Sequence, residues 1–487
     1  MQITDLKPAL IWHYFHEITQ VPRPSKKEEK IRAYLLNFAQ TQGLEVKQDK
    51  IGNILMSKPA SAGCENAPVV TLQSHMDMVC EKNGDTEHNF DTDPIQTVIE
   101  GEWVRAQGTT LGADNGIGMA AQLAVLADKS LKHGPINALF TVDEETGLTG
   151  AFNMEDKMIE GGYLLNLDSE DEGQLFIGCA GGIDTTAVFT YSPSMLPDNY
   201  QYFKISVKNL LGGHSGGDIH RGRGNANRIL ARFLWQSAQK YDMIMSRIDG
   251  GNLRNAIPRE ASAVIGIHKN DKEKMRVDLN LYIAVMEEEL KGIEPNFTMT
   301  MEHESEPEHC IDRRTTVALI EALYACPHGV VSMSRDMEGL VQTSTNLASV
   351  KMPGENKIVV ATSQRSSVES EKYDIARRVE CLFTLAGATV SHSDGYPGWK
   401  PNVKSPILSL AVAAYEELFG VKPLITAIHA GLECGLFLKK HPQLDMVSFG
   451  PTLSGVHSPD EKMHIPSVEK FWKHLTAILE KVAETKA

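Results

Sequence analysis

The chain has 487 residues, of which 42% are hydrophobic and 23% are charged. This length suits two or three domains, and this composition is typical of a folded globular protein. Lys and Arg number 48 against 63 Asp and Glu, and the net charge of −15 argues against nucleic acid or an anionic membrane as a partner. The sequence has no apolar run of about 18 residues and no signal-peptide pattern. Seven scattered cysteines without a CxxC pair favour a reducing compartment, so we expect a cytoplasmic protein.

The first predicted elements in chain order are two helices. Apolar residues recur at helical spacing from residue 11 to residue 18, and the segment VPRPS then interrupts the pattern. Ser25 and Glu28 match a capping box, so a second helix is expected to start there and to stop near Gly43.

Short apolar runs then alternate with helical stretches, which is typical of an α/β sheet with largely parallel strands. The runs are Val69–Leu72, Ala138–Val142, Tyr163–Leu167 and Met446–Phe449. Residues 183–398 are more polar and richer in strands, and Gly/Pro-rich segments bound them on both sides. We therefore predict an α/β domain of residues 1–182 plus 399–487, with helices on both faces of its sheet, interrupted by an inserted α+β domain of residues 183–398.

Side chains of the kind that bind metals follow these strands. The carboxyl ends of parallel strands converge on one crevice, so residues far apart in sequence can meet there. Two histidines and three carboxylates suit zinc, manganese or cobalt better than a soft thiolate-binding metal. The candidates are His75, Glu145, Asp168 and His457 after strands, and Asp114 in the Gly-rich turn GADNGIG.

Each motif also has a simpler interpretation. Asp77 could hold the second ring nitrogen of a metal-bound His75, or it could cap a helix beside a surface histidine. Glu144 and Glu145 could divide the work of general base and metal ligand, or they could form a solvated acidic turn. Asp168 could be a metal ligand, or it could simply begin an acidic surface loop. The turn GADNGIG lacks the lysine of a phosphate-binding loop, so we do not expect phosphate there.

A second cluster lies in the inserted segment, where LLGGHSGGDIHRG surrounds His214 with glycines. A flexible backbone suits a histidine that reaches into a cleft. On these residues alone, a turn whose glycines permit unusual φ angles is the simpler interpretation.

Together the motifs SHMDMV, GADNGIG, DEETGLTG, NLDSEDEG, GGHSGGDIH and GVHSPDE resemble the di-zinc metallopeptidase family that includes carnosinases, peptidase V, peptidase T and carboxypeptidase G. The resemblance spans nearly the whole chain. The long insert, NLDSEDEG and HAGLECG are most similar to the bacterial aminoacylhistidine dipeptidases (Xaa-His dipeptidase, peptidase D).

The resemblance implies a metal centre of two zinc ions per subunit, with cobalt or manganese as substitutes. Asp114 would bridge the ions, His75 and Asp168 would complete one site, and Glu145 and His457 would complete the other. The Asp114–Asn115 peptide would be cis.

The resemblance also implies the catalytic roles. Asp77 would orient His75, and Glu144 would be the general base. The residue 1–182 plus 399–487 domain would be catalytic and the inserted domain would be a lid. In the lid, His214 would stabilise the oxyanion, from its own subunit or from a partner subunit, in a homodimer formed through the lid.

Three further residues are implied to bind substrate, two of them in the lid. Asn255 and Arg365 would hold the C-terminal carboxylate, and Gly431 would contact the substrate through its backbone.

The implied activity is hydrolysis of Xaa-His and related carnosine-type dipeptides by a hydroxide that bridges the two zinc ions. A tripeptide aminopeptidase or an N-acyl amino acid deacylase of the same family is the alternative. A non-catalytic metal-binding scaffold would not need Glu144. A carbohydrate hydrolase using Glu144 and Asp168 would leave His75 and His457 without a role.

Overall fold

The computed structural model describes residues 2–485, which form two compact units. Unit 1 comprises the described chain up to Gly178, Pro401–Ala427 and the described chain from Leu432 onward. Unit 2 comprises Cys179–Lys400 and Ile428–Gly431. The sequence-based boundaries fall at 182/183 and 398/399, and that prediction kept residues 428–431 with the discontinuous domain. The assignment of catalytic and lid roles to the two parts stays a prediction.

The helices in the described chain are α1 (Ala9–Thr19), α2 (Glu29–Gln42), α3 (Ala113–Ala127), α4 (Thr149–Asn153), α5 (Ala226–Ala238), α6 (Lys272–Glu289), α7 (Arg313–Ala325), α8 (Glu369–Leu385), α9 (Pro406–Phe419), α10 (Cys434–Lys440) and α11 (Ile465–Glu484). Short 3₁₀ turns lie at Ile3–Asp5, Asp156–Met158, Ile219–Arg221 and Lys269–Asp271. Among these described helices, none combines the length and the apolarity required to cross a membrane.

The strands of unit 1 and its borders are β1 (Glu45–Gln48), β2 (Ile54–Lys58), β3 (Val70–His75), β4 (Thr97–Glu100), β5 (Trp103–Ala106), β6 (Ile136–Thr141), β7 (Tyr163–Asn166) and β8 (Gln174–Cys179). The middle of the chain adds β9 (Gly181–Thr190), β10 (Pro193–Ser194), β11 (Tyr200–Lys208), β12 (Gly213–His214), β13 (Ile244–Gly250), β14 (Ala256–Ile257), β15 (Ala261–His268), β16 (Thr298–Glu304), β17 (Cys310–Ile311), β18 (Gly329–Met333), β19 (Val341–Gly354), β20 (Lys357–Ser366) and β21 (Thr389–His392). The last are β22 (Leu424–Ile428), β23 (Asp445–Ser448), β24 (Leu453–Ser454) and β25 (Lys462–His464).

An eight-stranded sheet in the order β1-β2-β6-β3-β7-β23-β8-β22 forms the centre of unit 1. The four adjacent strands β6, β3, β7 and β23 are parallel. Outside them, β2 pairs with β6 and β1 pairs with β2 in antiparallel fashion. Every residue of β3 and β6 is buried, so both faces of this sheet are covered. The predicted α/β class is confirmed, and the antiparallel margin is a feature that the sequence pattern did not indicate.

The parallel strands place the candidate residues at one edge of this sheet. β3 ends at His75, which pairs with Thr141 at the end of β6. The acidic residues 143–145 follow β6 directly, and Asp168 lies two residues beyond the end of β7. A smaller sheet in the order β24-β25-β5-β4 supports the loop 455–461, which carries His457.

Helix α2 ends at Gly43 in the left-handed region, as predicted, but the expected capping box at its start does not form. The Ser25 hydroxyl donates instead to Asp77, and Glu28 accepts the backbone N–H groups of Lys26 and Asp143. Long-range contacts to the loops of the sheet edge have therefore replaced the local cap.

Unit 2 is built around an antiparallel sheet in the order β16-β11-β15-β13-β19-β20-β9-β21, with β18 paired to β19. Helices α5 to α8 contribute apolar side chains to its core, including Phe233, Leu279, Leu319 and Phe383. The strand-rich α+β character predicted for this part of the chain is confirmed.

Candidate metal centre

The first group of possible metal ligands joins the end of β3 to the starts of two loops. The Nε2 atom of His75 lies 3.0 Å from Oδ1 of Asp114 and 3.3 Å from Oδ1 of Asp168. These three ligand atoms lie close enough together to hold one metal ion. His75 is 1% exposed, and Asn115 donates from Nδ2 to Asp168 at 2.5 Å. Burial of His75 and the hydrogen bond to Asp168 therefore hold these two ligand side chains in place.

The second group uses the other oxygen of the same aspartate. The Nε2 atom of His457 lies 3.1 Å from Oδ2 of Asp114 and 3.0 Å from Oε2 of Glu145. These three ligand atoms also lie close enough to hold one ion. His457 has a φ of 60°, in the left-handed region that few non-glycine residues adopt. Its side chain is half exposed, whereas that of Glu145 is buried.

Asp114 therefore belongs to both groups, and each of its carboxylate oxygens faces a different histidine. It lies at the start of α3, where Asp114 and Asn115 have non-helical backbone angles and the peptide between them is cis, as the resemblance implies. A carboxylate with this arrangement can bridge two cations.

The charges at this edge of the sheet are strongly coupled. Burial alone would lower the pKa of His75, but the carboxylates of Asp168, Asp114 and Asp77 outweigh it and raise that pKa well above its usual value. Hydrogen bonds that His457 donates to the carboxylates of Asp114 and Glu145 raise its pKa to about 11. In the metal-free protein the carboxylates thus favour the protonated form of both imidazoles, and a bound cation would take the place of those protons.

The donor set fits divalent metal ions. Imidazole nitrogens and carboxylate oxygens are the usual ligands of zinc, cobalt and manganese. Oε1 of Glu145 is buried without a hydrogen-bond partner in the described chain, although a buried carboxylate oxygen normally has one. A cation held by the second group would balance the negative charge of the Glu145 carboxylate.

Asp77 connects the first group to the acidic loop after β6. It is fully buried, and its Oδ1 lies 3.3 Å from Nδ1 of His75 without the alignment of a hydrogen bond. Its two oxygens accept the backbone N–H groups of Glu144 at 3.0 Å and Glu145 at 3.2 Å. Asp77 thus fixes the backbone of both acidic residues in addition to lying against the imidazole.

Glu144 precedes the ligand Glu145 in this loop and belongs to neither group. Burial, followed by the negative charges of Asp168, Glu433 and Glu145, raises its pKa well above the usual value, although His75 acts in the opposite direction. A carboxyl group with a raised pKa beside the metal groups can accept and return a proton.

Two further acids lie at this edge without an assigned role in the sequence analysis. Burial raises the pKa of Glu433 to about 8, and its Oε2 accepts hydrogen bonds from Gln73 at 2.6 Å and Thr141 at 2.8 Å. Burial and the neighbouring Asp114 raise the pKa of Glu170 to about 8. Glu433 lies in HAGLECG and Glu170 in NLDSEDEG, so the motifs included both residues but did not distinguish them from solvated acids.

Within unit 2, the predicted lid residues form a polar cluster around Ser215. The backbone N–H of Ser215 donates to the carbonyl of Asn255 at 2.8 Å, and Nε of Arg365 donates to the Ser215 hydroxyl at 3.3 Å. The Nδ1 atom of His214 accepts the N–H of Gly217 at 3.1 Å, so the ring proton of the neutral imidazole lies on Nε2. Burial, followed by the charge of Arg365, lowers the pKa of His214 to about 4.

Tyr396 extends this cluster to Gly431, the third predicted substrate-binding residue. Nη1 of Arg365 donates to the Tyr396 hydroxyl at 2.9 Å. A Cβ atom placed on Gly431 would lie 2.9 Å from the Tyr396 ring, so only glycine fits there. Tyr396 lies in GYPGWKP, the Gly/Pro-rich segment at the second predicted domain boundary. No local pattern signals that its hydroxyl meets an arginine 31 positions earlier.

Comparison with known proteins gives concordant matches. The chain matches the Peptidase family M20/M25/M40 over residues 71–481. It is 43% identical over 481 residues to the cytosol non-specific dipeptidase of Escherichia coli (strain K12), covering 99% of both chains. The crystal structure of aminoacylhistidine dipeptidase from Vibrio alginolyticus superimposes with a TM-score of 0.91 at 45% identity, covering 99% of this chain and 98% of that one. A tripeptidase from Staphylococcus aureus, at 16% identity and a TM-score of 0.58 over 99% of this chain and 100% of that one, shares the fold.

Proposed function

We propose that this chain, which belongs to the Peptidase family M20/M25/M40, is a cytoplasmic metal-dependent dipeptidase that cleaves Xaa-His and related dipeptides of the carnosine type. Membership of this family confirms the resemblance seen in the motifs. The observation that carries the proposal is the position of Asp114, whose two oxygens face two separate ligand groups beside the buried Glu144.

His75, Asp114 and Asp168 would hold one metal ion, and Asp114, Glu145 and His457 would hold the other. We propose zinc as the metal because imidazole and carboxylate ligands suit it, with cobalt and manganese as substitutes. When bound, two such ions supply Lewis acidity and lower the pKa of water, which favours hydrolysis of an amide.

Glu144 is proposed as the general base. It takes the proton from the attacking water and passes it to the leaving amine, because a carboxyl group with a raised pKa can perform both transfers near neutral pH. Asp77 supports this role by holding the Glu144 backbone from its position against His75.

Unit 2 is proposed as the lid that binds the substrate. Arg365 would bind the C-terminal carboxylate, together with Asn255, since a guanidinium group forms paired hydrogen bonds with a carboxylate. His214 is neutral at pH 7, and we propose that its Nε2–H stabilises the oxyanion. Gly431 would contact the substrate through its backbone, because the Tyr396 ring leaves no room for a side chain there.

The comparisons favour dipeptides over the tripeptide alternative. Two relatives that are 43% and 45% identical over nearly the whole chain are described as dipeptidases, one non-specific and one for aminoacylhistidines. The likeness to a tripeptidase at 16% identity concerns the fold alone. The E. coli relative is described as cytosolic, which supports a cytoplasmic location.

We also propose that the protein is a homodimer joined through α6 of the lid. Helix α6 buries one face in unit 2 but leaves a second apolar stripe exposed, with Val277, Leu281 and Val285 between 46% and 63% exposed. Lys274 and Glu288 flank this stripe and are both exposed. The spacing is symmetric about Leu281, so two antiparallel copies would place Leu281 against itself and Lys274 opposite Glu288.

Light scattering on the purified protein tests the dimer. We expect wild type to have the mass of two chains and Leu281→Asp to have the mass of one. Leu385→Asp, which places the same charge at an exposed leucine on α8, is the matched control and should remain dimeric. A monomeric wild type, or a dimeric Leu281→Asp variant, would contradict the interface.

Hydrolysis of a dipeptide panel tests the activity. Carnosine, Xaa-His and Xaa-Leu dipeptides, a tripeptide and an N-acyl amino acid are offered to the protein before chelation, after chelation and after zinc is restored. We expect dipeptide cleavage that chelation abolishes and zinc recovers. Metal-dependent cleavage of the tripeptide or the N-acyl amino acid alone would overturn the substrate class. Bound zinc without any hydrolysis would favour the scaffold alternative.

A further inference from the structure

A single buried carboxylate holds the loop that leads to Asp114. The side chain of Glu461 is 2% exposed. Its Oε2 accepts the backbone N–H groups of Leu111 at 2.7 Å and Gly112 at 2.9 Å, and its Oε1 accepts those of Ala113 at 2.8 Å and Asp114 at 3.2 Å. Four consecutive N–H groups at the start of α3, which have no partner within the helix, are thus bound by one side chain.

A buried arginine holds the same loop from its carbonyl side. Arg23 is 3% exposed, and its Nη2 donates to the carbonyl of Gly112. Its Nη1 donates to the carbonyls of Asp77 at 2.6 Å and Met76 at 3.3 Å. Arg23 therefore ties the segment after His75 to the segment before Asp114.

Glu461 and Arg23 bind opposite groups of the same residue, the N–H and the carbonyl of Gly112. Gly112 has a φ of 68°, and a Cβ atom there would lie 2.6 Å from Nη2 of Arg23. A residue larger than glycine would consequently collide with the arginine at this position. We call the hydrogen bonds of Glu461 and Arg23 to residues 111–114 the brace. Glu461 follows His457 by four residues, and Arg23 contacts the segment after His75, so the brace joins segments from both ligand groups.

We propose that Glu461 and Arg23 are positioning residues for the metal centre: they act through the backbone of residues 111–114 to set the two oxygens of Asp114. The inference rests on the proposed metal site. Asp114 must reach His75 at 3.0 Å and His457 at 3.1 Å at the same time, so a displacement of its backbone would spoil both groups together.

Zinc affinity of the full-length protein, measured against a chromophoric chelator after metal removal, tests the brace. In Glu461→Gln an amide group replaces one oxygen and faces two N–H donors, so that pair of hydrogen bonds is lost. We expect zinc affinity to fall about 10–100-fold, as for other groups that support metal ligands. Turnover should recover at saturating zinc if the ligands themselves are intact.

Asp460→Asn is the matched control. It removes the same charge one position earlier, from a side chain that is 88% exposed and pairs with Arg105 at the surface. We expect its zinc affinity to equal that of wild type. Circular dichroism checks that each variant folds.

Unchanged affinity in Glu461→Gln would overturn the proposal, and so would an equal loss in Asp460→Asn, because charge alone would then explain the effect. If Glu461→Gln does not fold, Glu461→Asp keeps the charge but shortens the reach by one methylene group, and it must also bind zinc more weakly. A wild type that binds no zinc would overturn the proposed function itself, which separates that failure from failure of the brace.

Discussion

Asp77 accepts the backbone N–H of Glu144 at 3.0 Å, so the residue beside the His75 imidazole also fixes the proposed general base. The contact joins the loop after β3 to the loop after β6, 67 positions apart in sequence. In the proposed mechanism, this carboxylate would therefore couple metal binding to proton transfer.

The variant Asp77→Asn tests this coupling. An amide has only one accepting oxygen, so it cannot receive both backbone N–H groups that Asp77 now binds. We expect turnover at saturating zinc to fall about 10–100-fold, while the zinc content per chain stays close to that of wild type. Steady-state kinetics and metal analysis of the same preparation provide the measurement. Asp85→Asn, at an exposed residue, is the control, and equal turnover in the two variants would contradict the coupling.

Substitution of Arg365 tests the carboxylate clamp. Lysine keeps the charge but cannot maintain the contacts to Ser215 and Tyr396 or offer a fork to a carboxylate. In Arg365→Lys we expect KM for dipeptides to rise about tenfold or more, with a smaller change in kcat. Arg378→Lys, at an exposed arginine of the same unit, should leave both constants unchanged. Unchanged KM in Arg365→Lys would rule out the clamp.

The buried Glu433 predicts a pH dependence of stability in the metal-free protein. Its folded-state pKa of about 8 lies above its ordinary value of 4.5, so the folded protein holds a proton that the unfolded chain has already released in this window. Its contribution is fully present below pH 4.5 and is lost as the pH rises toward 8.

Glu433→Gln imitates the protonated form and should remove this dependence. Urea unfolding across this pH range should show wild type losing stability relative to the variant by up to about 1.4 kcal/mol per pH unit. If the unfolding free energies of wild type and Glu433→Gln change with pH in parallel across the range, Glu433 does not titrate in the folded protein.

The candidate ligands could be selected from the sequence because four of them follow short apolar strands and Asp114 lies in a Gly-rich turn before a helix. His75 ends a fully buried strand, and Asp168 follows another strand of the same parallel set, so topology alone brings them to one edge. The resemblance then supplied the roles that the pattern left open. Zinc as the metal and the homodimer stay predictions.

The supporting residues could not be predicted from local patterns. Glu461 binds backbone groups nearly 350 positions away, and backbone N–H groups leave no mark on the sequence. Ser25 and Glu28 did form a recognisable motif, but contacts to Asp77 and Asp143 took the place of the local cap. The antiparallel pairing of β2 with β6 likewise depends on chain direction, which hydrophobic periodicity does not encode.

The most direct test of the account is the metal content and the Xaa-His turnover of Glu144→Gln, measured on one preparation. We expect the variant to keep two metal ions per chain and to lose turnover by about 100-fold or more, since Glu144 belongs to neither ligand group and is the proposed carrier of the proton. A variant that keeps both ions and hydrolyses dipeptides at the wild-type rate would contradict the assignment of the general base.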